Sequence, residues 1–155
     1  VCTVGKIDLH PNLINVVPAR AVLTLDVRNT DETLLKIAES KIKDFLAQIA
    51  ISEGVEIKTR ELARFEPVVF DDRVIDLVEA IAKEQNNSVQ RMPSGAGHDA
   101  QMLARVCPAG MIFVPSVKGI SHNAAEFTEE ADLNAGANIL LHTMLALTTL
   151  DLTDR

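Results

Sequence analysis

Two of the four histidines lie where an α/β protein commonly keeps its functional site, near the C-terminal ends of predicted strands. His98 follows the sequence Ser94-Gly95-Ala96-Gly97 and begins a predicted helix. Glycine lets a backbone approach a ligand closely, and the free N–H groups at a helix N-terminus attract an anion. This pattern fits a carboxylate-binding site at Gly97 and His98. A tight turn followed by a surface histidine explains the same residues equally well.

His122 belongs to a loop, residues 115–123, that leaves a predicted buried strand, and Glu126 follows it four residues later. A neutral imidazole supported by a carboxylate is a common metal ligand in proteins. However, a catalytic zinc ion usually takes three protein ligands, and the sequence contains no HxxxH, HExxH or HxD spacing. His122 is therefore one ligand of an incomplete set or a loop histidine that bonds to Glu126, and the residues alone favour the loop histidine.

Arg28 and Asn15 are the polar residues of the first half that stand out as candidates for binding a substrate. Arg28 ends a predicted strand on the same face as Asp26. A guanidinium group binds a carboxylate through two parallel hydrogen bonds, so Arg28 could hold an acidic substrate. A salt bridge from Arg28 to Asp26 or Asp31 accounts for this arginine slightly better when only the local sequence is considered.

Composition limits the classes of function. The 155 residues are 47% hydrophobic and 24% charged, so the chain is expected to be a soluble globular protein with a core. A net charge of −7, with five Phe and no Tyr or Trp, argues against binding nucleic acid. No apolar run reaches the ~18 residues of a membrane span. The distant Cys2 and Cys107 fit neither a disulfide framework nor a metal knuckle, so we expect core thiols and a cytoplasmic location.

The hydrophobic pattern of residues 1–67 predicts the order strand, strand, helix, strand. The four segments are 1–9, 21–28, a helix that is capped by Thr30 or Asp31 and ends before Gly54, and 55–66. This order supplies most of a four-stranded ferredoxin-like sheet, which would need one more strand and helix upstream of Val1. Val1 lies in a predicted strand and no initiator methionine precedes it, so we expect the chain to start at a cut.

Residues 68–155 show helical patterns that alternate with short apolar strands, as in an α/β domain. The predicted elements are helix 71–85, strand 89–92, a glycine-containing loop 93–97, helix 98–106, strand 110–114 and helix 129–150. The uninterrupted apolar run at 110–114 is typical of a strand in the centre of a sheet. The sequence thus predicts an α/β chain with a domain boundary near residues 65–71.

Several motifs in a fixed order resemble those of one enzyme family. They are Pro11-Asn12-Leu13-Ile14-Asn15-Val16-Val17-Pro18, Leu25-Asp26-Val27-Arg28, Ser94-Gly95-Ala96-Gly97-His98-Asp99-Ala100-Gln101, and Pro115-Ser116 followed by Gly119-Ile120-Ser121-His122-Asn123. They resemble the zinc-dependent amidohydrolases of the hydantoinase/carbamoylase family, which includes N-carbamoyl-L-amino acid hydrolases, β-ureidopropionase and allantoate amidohydrolase. The resemblance covers essentially the whole chain. It implies that residues 1–67 form a partial ferredoxin-like lid (β-β-α-β) for dimerisation. It also implies that residues 68–155 form the C-terminal α/β segment of a dimetal aminopeptidase-like catalytic domain.

The resemblance also implies roles for individual residues. His122 matches the last metal ligand of the family, and His98 matches a histidine of the substrate pocket. Asn15 and Arg28 match lid residues that hold the amide and the carboxylate of the substrate. On this basis His98 and Asn15 are predicted to be catalytic, and Arg28 and Gly97 are predicted to bind the substrate together with them.

The implied reaction is hydrolysis of the C–N bond of an N-carbamoyl-L-amino acid or of allantoate by a metal-activated water. The resemblance implies two divalent metal ions, Zn or else Mn, Co or Ni, a small anionic ureido or carbamoyl substrate, and a homodimer formed through the lid. The remaining metal ligands and the general base would lie upstream of Val1, so the isolated chain is expected to bind metal weakly at best and to be inactive. Two alternatives are a fragment of a related aminoacylase or dipeptidase, and a dimerisation module without activity.

Overall fold

The computed structural model describes residues 1–150, which form two compact units. The N-terminal unit contains Val1–Pro67 and Pro93–Ala96, and the C-terminal unit contains Val68–Met92 and the described chain from Gly97 onward. Four helices and a two-stranded sheet make the described chain a mixed α/β protein, which confirms the predicted class. Within that range no helix has both the length and the apolar character needed to cross a membrane. Residues 151–155 of the predicted second domain lie outside the described residues.

The sheet of the N-terminal unit pairs two antiparallel strands, β1 (Cys2–His10) and β2 (Arg20–Val27), and confirms both predicted strands. The register places Val4 opposite Leu25. Because side chains alternate between the faces of a strand, one face of the pair is apolar and the other is mostly polar. The apolar face carries Val4, Ile7, Leu9, Leu23 and Leu25, and the polar face carries Thr3, Lys6, Asp8, Thr24 and Asp26.

Helix α1, Glu32–Glu53, is defined at both ends by local bonds. Asp31 is its N-cap, and Asp31 Oδ1 accepts a hydrogen bond from the Leu34 N–H at 2.9 Å. At the other end Gly54 adopts the left-handed conformation (φ 63°), which glycine adopts without steric cost. Leu35 is the buried side chain of this helix and is only 5% exposed. The predicted helix, with its cap at Asp31 and its end before Gly54, is confirmed.

Residues 55–66 do not form the predicted third strand in the described chain, so that part of the prediction is wrong. A strand requires a neighbour that bonds its N–H and C=O groups, and the described sheet consists of β1 and β2 alone. The segment is instead tied to α1 by Arg64, whose guanidinium group donates to Glu32 at 2.8 Å and to Glu39 at 2.9 Å. These hydrogen bonds lower the pKa of Glu32 and raise the pKa of Arg64.

The C-terminal unit contains α2 (Asp72–Glu84), α3 (Asp99–Leu103) and α4 (Glu130–Leu147), with a 3-10 turn at Val117–Gly119. Its hydrophobic core lies between α2 and α4, where Ile81 and Ala82 belong to one buried cluster with Ile139. Burial of a large aliphatic side chain stabilises the folded state by about 1.5–3 kcal/mol. The partly buried residues packed against this cluster are Leu77, Val78, Ile112 and Ala146. The helices predicted at both ends of this domain are confirmed.

Residues 110–114 do not form the predicted buried strand, and residues 89–92 do not form the predicted short one, so both predictions are wrong. The described sheet contains no strand that pairs with either segment. Residues 110–114 fit closely against two helices instead. A Cβ on Gly110 would lie 2.8 Å from Val74 Cγ1 in α2, and a Cβ on Gly136 in α4 would lie 2.5 Å from Val114 Cγ1. The two glycines therefore allow a backbone approach that a side chain would block.

Cys2 and Cys107 are free and exposed, so the prediction of core thiols is wrong. Cys2 begins β1, every residue of which is exposed. Cys107 follows α3, and its Sγ lies 3.4 Å from the Leu103 carbonyl oxygen. A hydrophobic residue is buried only where a second element covers it, and the described elements do not cover these two positions.

Candidate functional site

Arg28 lies just beyond β2, where its guanidinium group is held by Asp26. Nε donates to Asp26 Oδ1 at 2.8 Å, Nη2 donates to Asp26 Oδ2 at 2.6 Å, and Nη1 donates to the Gly95 carbonyl oxygen at 3.0 Å. The predicted salt bridge between Arg28 and Asp26 is confirmed. Hydrogen bonding between the two side chains lowers the pKa of Asp26 and raises the pKa of Arg28.

The same guanidinium group is also accessible to an anion, because the side chains of Arg28 and Asp26 are each 49% exposed. A guanidinium group has five N–H donors, and the bonds to Asp26 and Gly95 use Nε and one N–H on each terminal nitrogen. Within residues 1–150, one N–H on each terminal nitrogen is therefore left for another acceptor. Because the group is already ordered, it loses less conformational entropy when it binds an anion.

The segment before His98 is a turn closed by Ser94, whose Oγ accepts a hydrogen bond from the Ala96 N–H at 3.2 Å. Gly95 and Gly97 have no atom of the described chain within 4 Å of the place where a Cβ would stand. Neither glycine has a positive φ. Thus neither the backbone conformation nor the packing of the described residues requires glycine there, and the open space suits a ligand that approaches the backbone.

His98 is exposed and precedes α3 as its N-cap residue, without a capping hydrogen bond from its side chain. Its imidazole packs edge-to-face against the Phe113 ring, with ring centroids 5.9 Å apart and planes at 71°. Helix α3 has five residues, fewer than the predicted 98–106, and begins with Asp99. So short a helix with an acidic residue in its first turn attracts an anion only weakly. Any binding of a substrate here depends on the His98 side chain more than on the helix dipole.

His122 adopts the left-handed backbone conformation (φ 54°), which is uncommon for a residue with a side chain. Its backbone N–H donates to Glu126 Oε2 at 2.8 Å, and Asn123 Oδ1 accepts from the Ala125 N–H at 2.9 Å. The predicted hydrogen bond between His122 and Glu126 is confirmed, but its donor is the backbone N–H of His122 and not the imidazole. In this turn the backbone directs the N–H of His122 to the side chain four residues ahead.

Asn15 lies in the connection between β1 and β2, residues 11–19. The Ala19 N–H donates to the His10 carbonyl oxygen at 2.9 Å, which closes the base of this connection. Asn15 itself is exposed in a turn. Exposed loops on a regular framework are a common place for binding residues, so the position of Asn15 suits its predicted role in holding a substrate amide.

The described residues do not complete a metal site. Among residues 1–150, no group of three or more His, Cys, Asp or Glu side chains is arranged to hold an ion. Glu126 follows His122 in the same turn, but its carboxylate accepts a hydrogen bond from the backbone. A catalytic zinc ion takes about three protein ligands. The residues of this part of the chain therefore do not fit the complete dimetal centre that the resemblance implies.

Sequence reasoning missed two contacts close to the predicted site residues. One is the packing of Phe113 on His98. The other involves Arg91, whose Nε donates to Glu79 Oε2 at 2.5 Å and whose Nη2 donates to Asp76 Oδ1 at 2.5 Å. These bonds attach the chain before the glycine-containing loop to α2, and they raise the pKa of Arg91. Asp76 and Glu79 share a helix face by their spacing, which indicates a site for a cation but not which cation.

A cleft of about 470 Å³ lies at the start of α2 and contains none of the predicted site residues. Its lining residues are Val69, Asp71, Asp72, Arg73, Ala104, Cys107, Pro108 and Ala109. Asp71 caps α2 there, and its Oδ2 accepts a hydrogen bond from Arg73 Nη2 at 2.8 Å. This bond to Arg73 is the main cause that lowers the pKa of Asp71 to about 2. Since Asp71 and Arg73 already pair with each other, we assign no ligand to this cleft.

Comparison with known proteins gives similarities along almost the whole chain. The family model described as peptidase family M20/M25/M40 matches residues 3–146. The chain is 37% identical over 138 residues to the allantoate amidohydrolase of Bacillus subtilis, an alignment that covers 89% of this chain and 34% of that enzyme. It is 36% identical over 142 residues to the N-carbamoyl-L-amino-acid amidohydrolase of Rhizobium meliloti, with coverage of 92% and 34%.

The fold is similar to that of a solved structure, an amidase of the hydantoinase/carbamoylase family from Burkholderia vietnamiensis. The TM-score is 0.89 and the sequence identity is 40%, over 94% of this chain and 35% of that chain. This chain thus spans about a third of the length of each of these three proteins.

Proposed function

Because this chain belongs to peptidase family M20/M25/M40, we propose that it forms part of a metal-dependent amidohydrolase that cleaves the C–N bond of N-carbamoyl-L-amino acids or allantoate. The observation that carries the proposal is the similarity of nearly the whole chain to enzymes named for these two substrates. In this proposal the chain is a part of a longer protein, which is called the full-length enzyme below.

The two compact units support the proposal that the chain contributes to two different domains of the full-length enzyme. The N-terminal unit, with β1, β2 and α1, is proposed to be part of a lid domain. The C-terminal unit, with its core between α2 and α4, is proposed to be the end of the catalytic domain. The proposed lid part is residues 1–67 and the proposed catalytic part is residues 68–155, of which Pro93–Ala96 belong to the N-terminal compact unit.

The exposed side chains of the N-terminal unit are proposed to bind the substrate. Arg28 binds the substrate carboxylate with the donors that Asp26 leaves available, and the accessible, ordered guanidinium group supports this role. The side-chain amide N–H of Asn15 donates a hydrogen bond to the amide group of the substrate. Both groups bind before and during the reaction, so they determine which acidic substrate is accepted.

His98 and Gly97 are proposed to act at the carbonyl group that is attacked. The carbonyl oxygen gains negative charge as the tetrahedral intermediate forms, and a hydrogen bond from the His98 imidazole stabilises that charge. Gly97 lets the substrate approach the backbone, for which the open space around this residue is the support. In this mechanism His98 donates a hydrogen bond in the transition state.

Enzymes of this family generally depend on two metal ions, which activate water for hydrolysis when bound. We propose that His122 is one ligand of such a site in the full-length enzyme, and that zinc is the metal. Its exposed position and left-handed backbone support a functional role, since strained backbone conformations cluster at functional sites. Among residues 1–150 no group of three or more His, Cys, Asp or Glu side chains could hold an ion, which supports the proposal that the other ligands come from the rest of the full-length enzyme.

A homodimer formed through the N-terminal unit is also proposed. The apolar face of the sheet supports it, because Leu23 is 53% exposed and Ile7 is 59% exposed. Sedimentation of the 155-residue chain is expected to show a species of twice its mass of 16.9 kDa. Replacing Leu23 and Ile7 by serine should give monomers. A wild-type chain that stays monomeric at high concentration would contradict the dimer.

A cytoplasmic location is proposed from the cysteines. Cys2 and Cys107 are free and exposed, and unpaired thiols persist in a reducing compartment. Fractionation of the source cells is expected to place the full-length enzyme with the cytoplasmic proteins, and recovery in an exported fraction would contradict this.

A substrate panel tests the proposed function. The full-length enzyme is given N-carbamoyl-L-amino acids, allantoate, N-acetyl-L-amino acids and dipeptides at equal concentrations. We expect the highest kcat/KM for a carbamoyl or ureido compound, since these are the substrates in the names of the relatives. A higher kcat/KM for N-acetyl amino acids or dipeptides would favour an aminoacylase or dipeptidase instead.

A further inference from the structure

Phe113 is the aromatic residue that contacts the ring of His98. The geometry is edge-to-face, with centroids 5.9 Å apart and planes at 71°, an arrangement that aromatic pairs prefer. Within residues 1–150 the His98 side chain makes no capping hydrogen bond to α3. The outer torsion of a histidine side chain has a broad range, so a ring without hydrogen-bond partners depends on packing for its direction.

The residues on either side of Phe113 are anchored. Ile112 packs against the core between α2 and α4. Val114 lies so close to Gly136 that a Cβ there would be 2.5 Å from Val114 Cγ1. The Phe113 side chain itself stays 51% exposed, so its ring is not needed to fill the core. A well-held backbone thus presents an exposed ring to His98.

We propose that Phe113 is a positioning residue for His98, which fixes the direction of the imidazole from which His98 donates a hydrogen bond to the reacting carbonyl group. The inference rests on the role proposed above for His98. A freely rotating imidazole spends less time in the productive direction, so loss of the Phe113 ring slows the chemical step. Binding through Arg28 is unaffected, and therefore kcat falls while KM changes little.

Steady-state kinetics of the full-length enzyme with N-carbamoyl-L-amino acids test this proposal. Phe113→Leu removes the ring, Phe113→Tyr retains it, and Phe127→Leu makes the same change at another exposed phenylalanine. We expect kcat to fall roughly 2- to 10-fold in Phe113→Leu, the effect of losing one aromatic pair. Phe113→Tyr and Phe127→Leu should stay close to the wild type. An equal loss in Phe113→Leu and Phe127→Leu overturns the proposal.

A double variant separates positioning from a general structural effect. When His98 is replaced by glutamine, Phe113 has no imidazole to position, so adding Phe113→Leu should reduce kcat no further. The same fold-loss from Phe113→Leu in the wild-type and His98→Gln enzymes shows that Phe113 acts independently of His98. That additive outcome overturns the proposal.

Proton NMR of the 155-residue chain tests the contact without requiring activity. The ring current of Phe113 displaces the ring C–H resonances of His98, which are identified by their loss in His98→Gln. These resonances should move in Phe113→Leu and keep their positions in Phe127→Leu. If they do not move in Phe113→Leu, the inference is wrong. If they do move but the full-length enzyme hydrolyses none of the panel substrates, the contact stands and the proposed function alone fails.

Discussion

Arg28 is a residue that is held by one carboxylate and has donors left for another. An exposed ion pair contributes little to folding stability, so removing this arginine should affect substrate binding more than folding. In the full-length enzyme we expect Arg28→Ala to lower kcat/KM for anionic substrates, mainly through a higher KM. The loss should correspond to about 2–4 kcal/mol of binding free energy in the transition state. Arg28→Lys retains the positive charge but loses the paired N–H donors of the guanidinium group. Its kcat/KM should therefore lie between the values of the wild type and of Arg28→Ala. Unchanged steady-state kinetics in Arg28→Ala would remove Arg28 from the substrate site.

His122 combines a proposed ligand role with a backbone conformation that disfavours a side chain (φ 54°). His122→Gly should relieve this strain and raise the free energy of unfolding of the 155-residue chain by about 1 kcal/mol. His122→Ala retains a Cβ and should give no such gain. Denaturant unfolding compares the three proteins, and equal stability of the glycine and alanine variants would contradict the strain.

The same two variants test the ligand role of His122 in the full-length enzyme. Both should lose bound metal, because neither side chain can replace an imidazole ligand. Elemental analysis of the purified proteins measures the loss, and Lys118→Gly is a matched control because Lys118 shares the positive φ (60°) without a proposed metal role. Full metal occupancy in His122→Gly would end the assignment.

Helix α2 depends at its start on Asp71, whose carboxylate bonds to the Arg73 N–H at 2.9 Å and to the Arg73 guanidinium group. These bonds lower its pKa from 3.8 to about 2. Since the folded-state pKa lies below the unfolded value, the ionised carboxylate stabilises the folded chain above pH 3.8. This contribution is lost as the pH falls from 3.8 to about 2. An NMR titration should give a pKa near 2, and Arg73→Gln should raise it. A wild-type value near 3.8 would contradict the account.

Helix α4 and residues 110–114 fit together at Gly136. Replacing a helical glycine by alanine usually stabilises a protein by about 1 kcal/mol. Here the new Cβ would lie 2.5 Å from Val114 Cγ1, and a valine side chain is stiff. Gly136→Ala should therefore lower the free energy of unfolding by about 1–3 kcal/mol. Val114→Ala removes both γ-methyl groups, including the one that the new Cβ would meet, so the double variant should recover part of this loss in denaturant unfolding. If the double variant loses as much free energy of unfolding as the sum of the two single variants, the close contact between Gly136 and Val114 is contradicted.

The elements that can be predicted from the sequence are those that local residues determine. Helix α1 follows from a cap at Asp31, a left-handed end at Gly54 and the apolar positions between them. The segments 55–66 and 110–114 have strand-like patterns, but a strand also needs a bonded neighbour, which no local pattern supplies.

The candidate site has the same limit. The four-residue spacing in the sequence indicates a hydrogen bond between His122 and Glu126. It does not show that the donor of this bond is the backbone N–H of His122 and not its imidazole. The contact of Phe113 with His98 joins different elements of the fold, so no local pattern in the sequence indicates it. Motif order led to the family, which the family match confirms. The roles of the individual site residues stay predictions.

At the scale of the whole molecule, both units of the described chain expose large apolar side chains. The exposed apolar side chains include Leu23, Ile37, Phe45, Leu140 and Met144. Large exposed apolar surfaces usually contact other protein. This supports the proposal that the rest of the full-length enzyme and a second copy cover them.

Hydrolysis of N-carbamoyl-L-amino acids, measured with and without a metal chelator, tests most directly whether this chain supplies part of an amidohydrolase. The comparison is between the full-length enzyme and the isolated 155-residue chain. We predict that the full-length enzyme hydrolyses these substrates and that the chelator stops it. The isolated chain should show no turnover, because its described residues hold no complete metal site. Chelator-sensitive turnover by the purified isolated chain, or a full-length enzyme that leaves these substrates intact, would contradict the account.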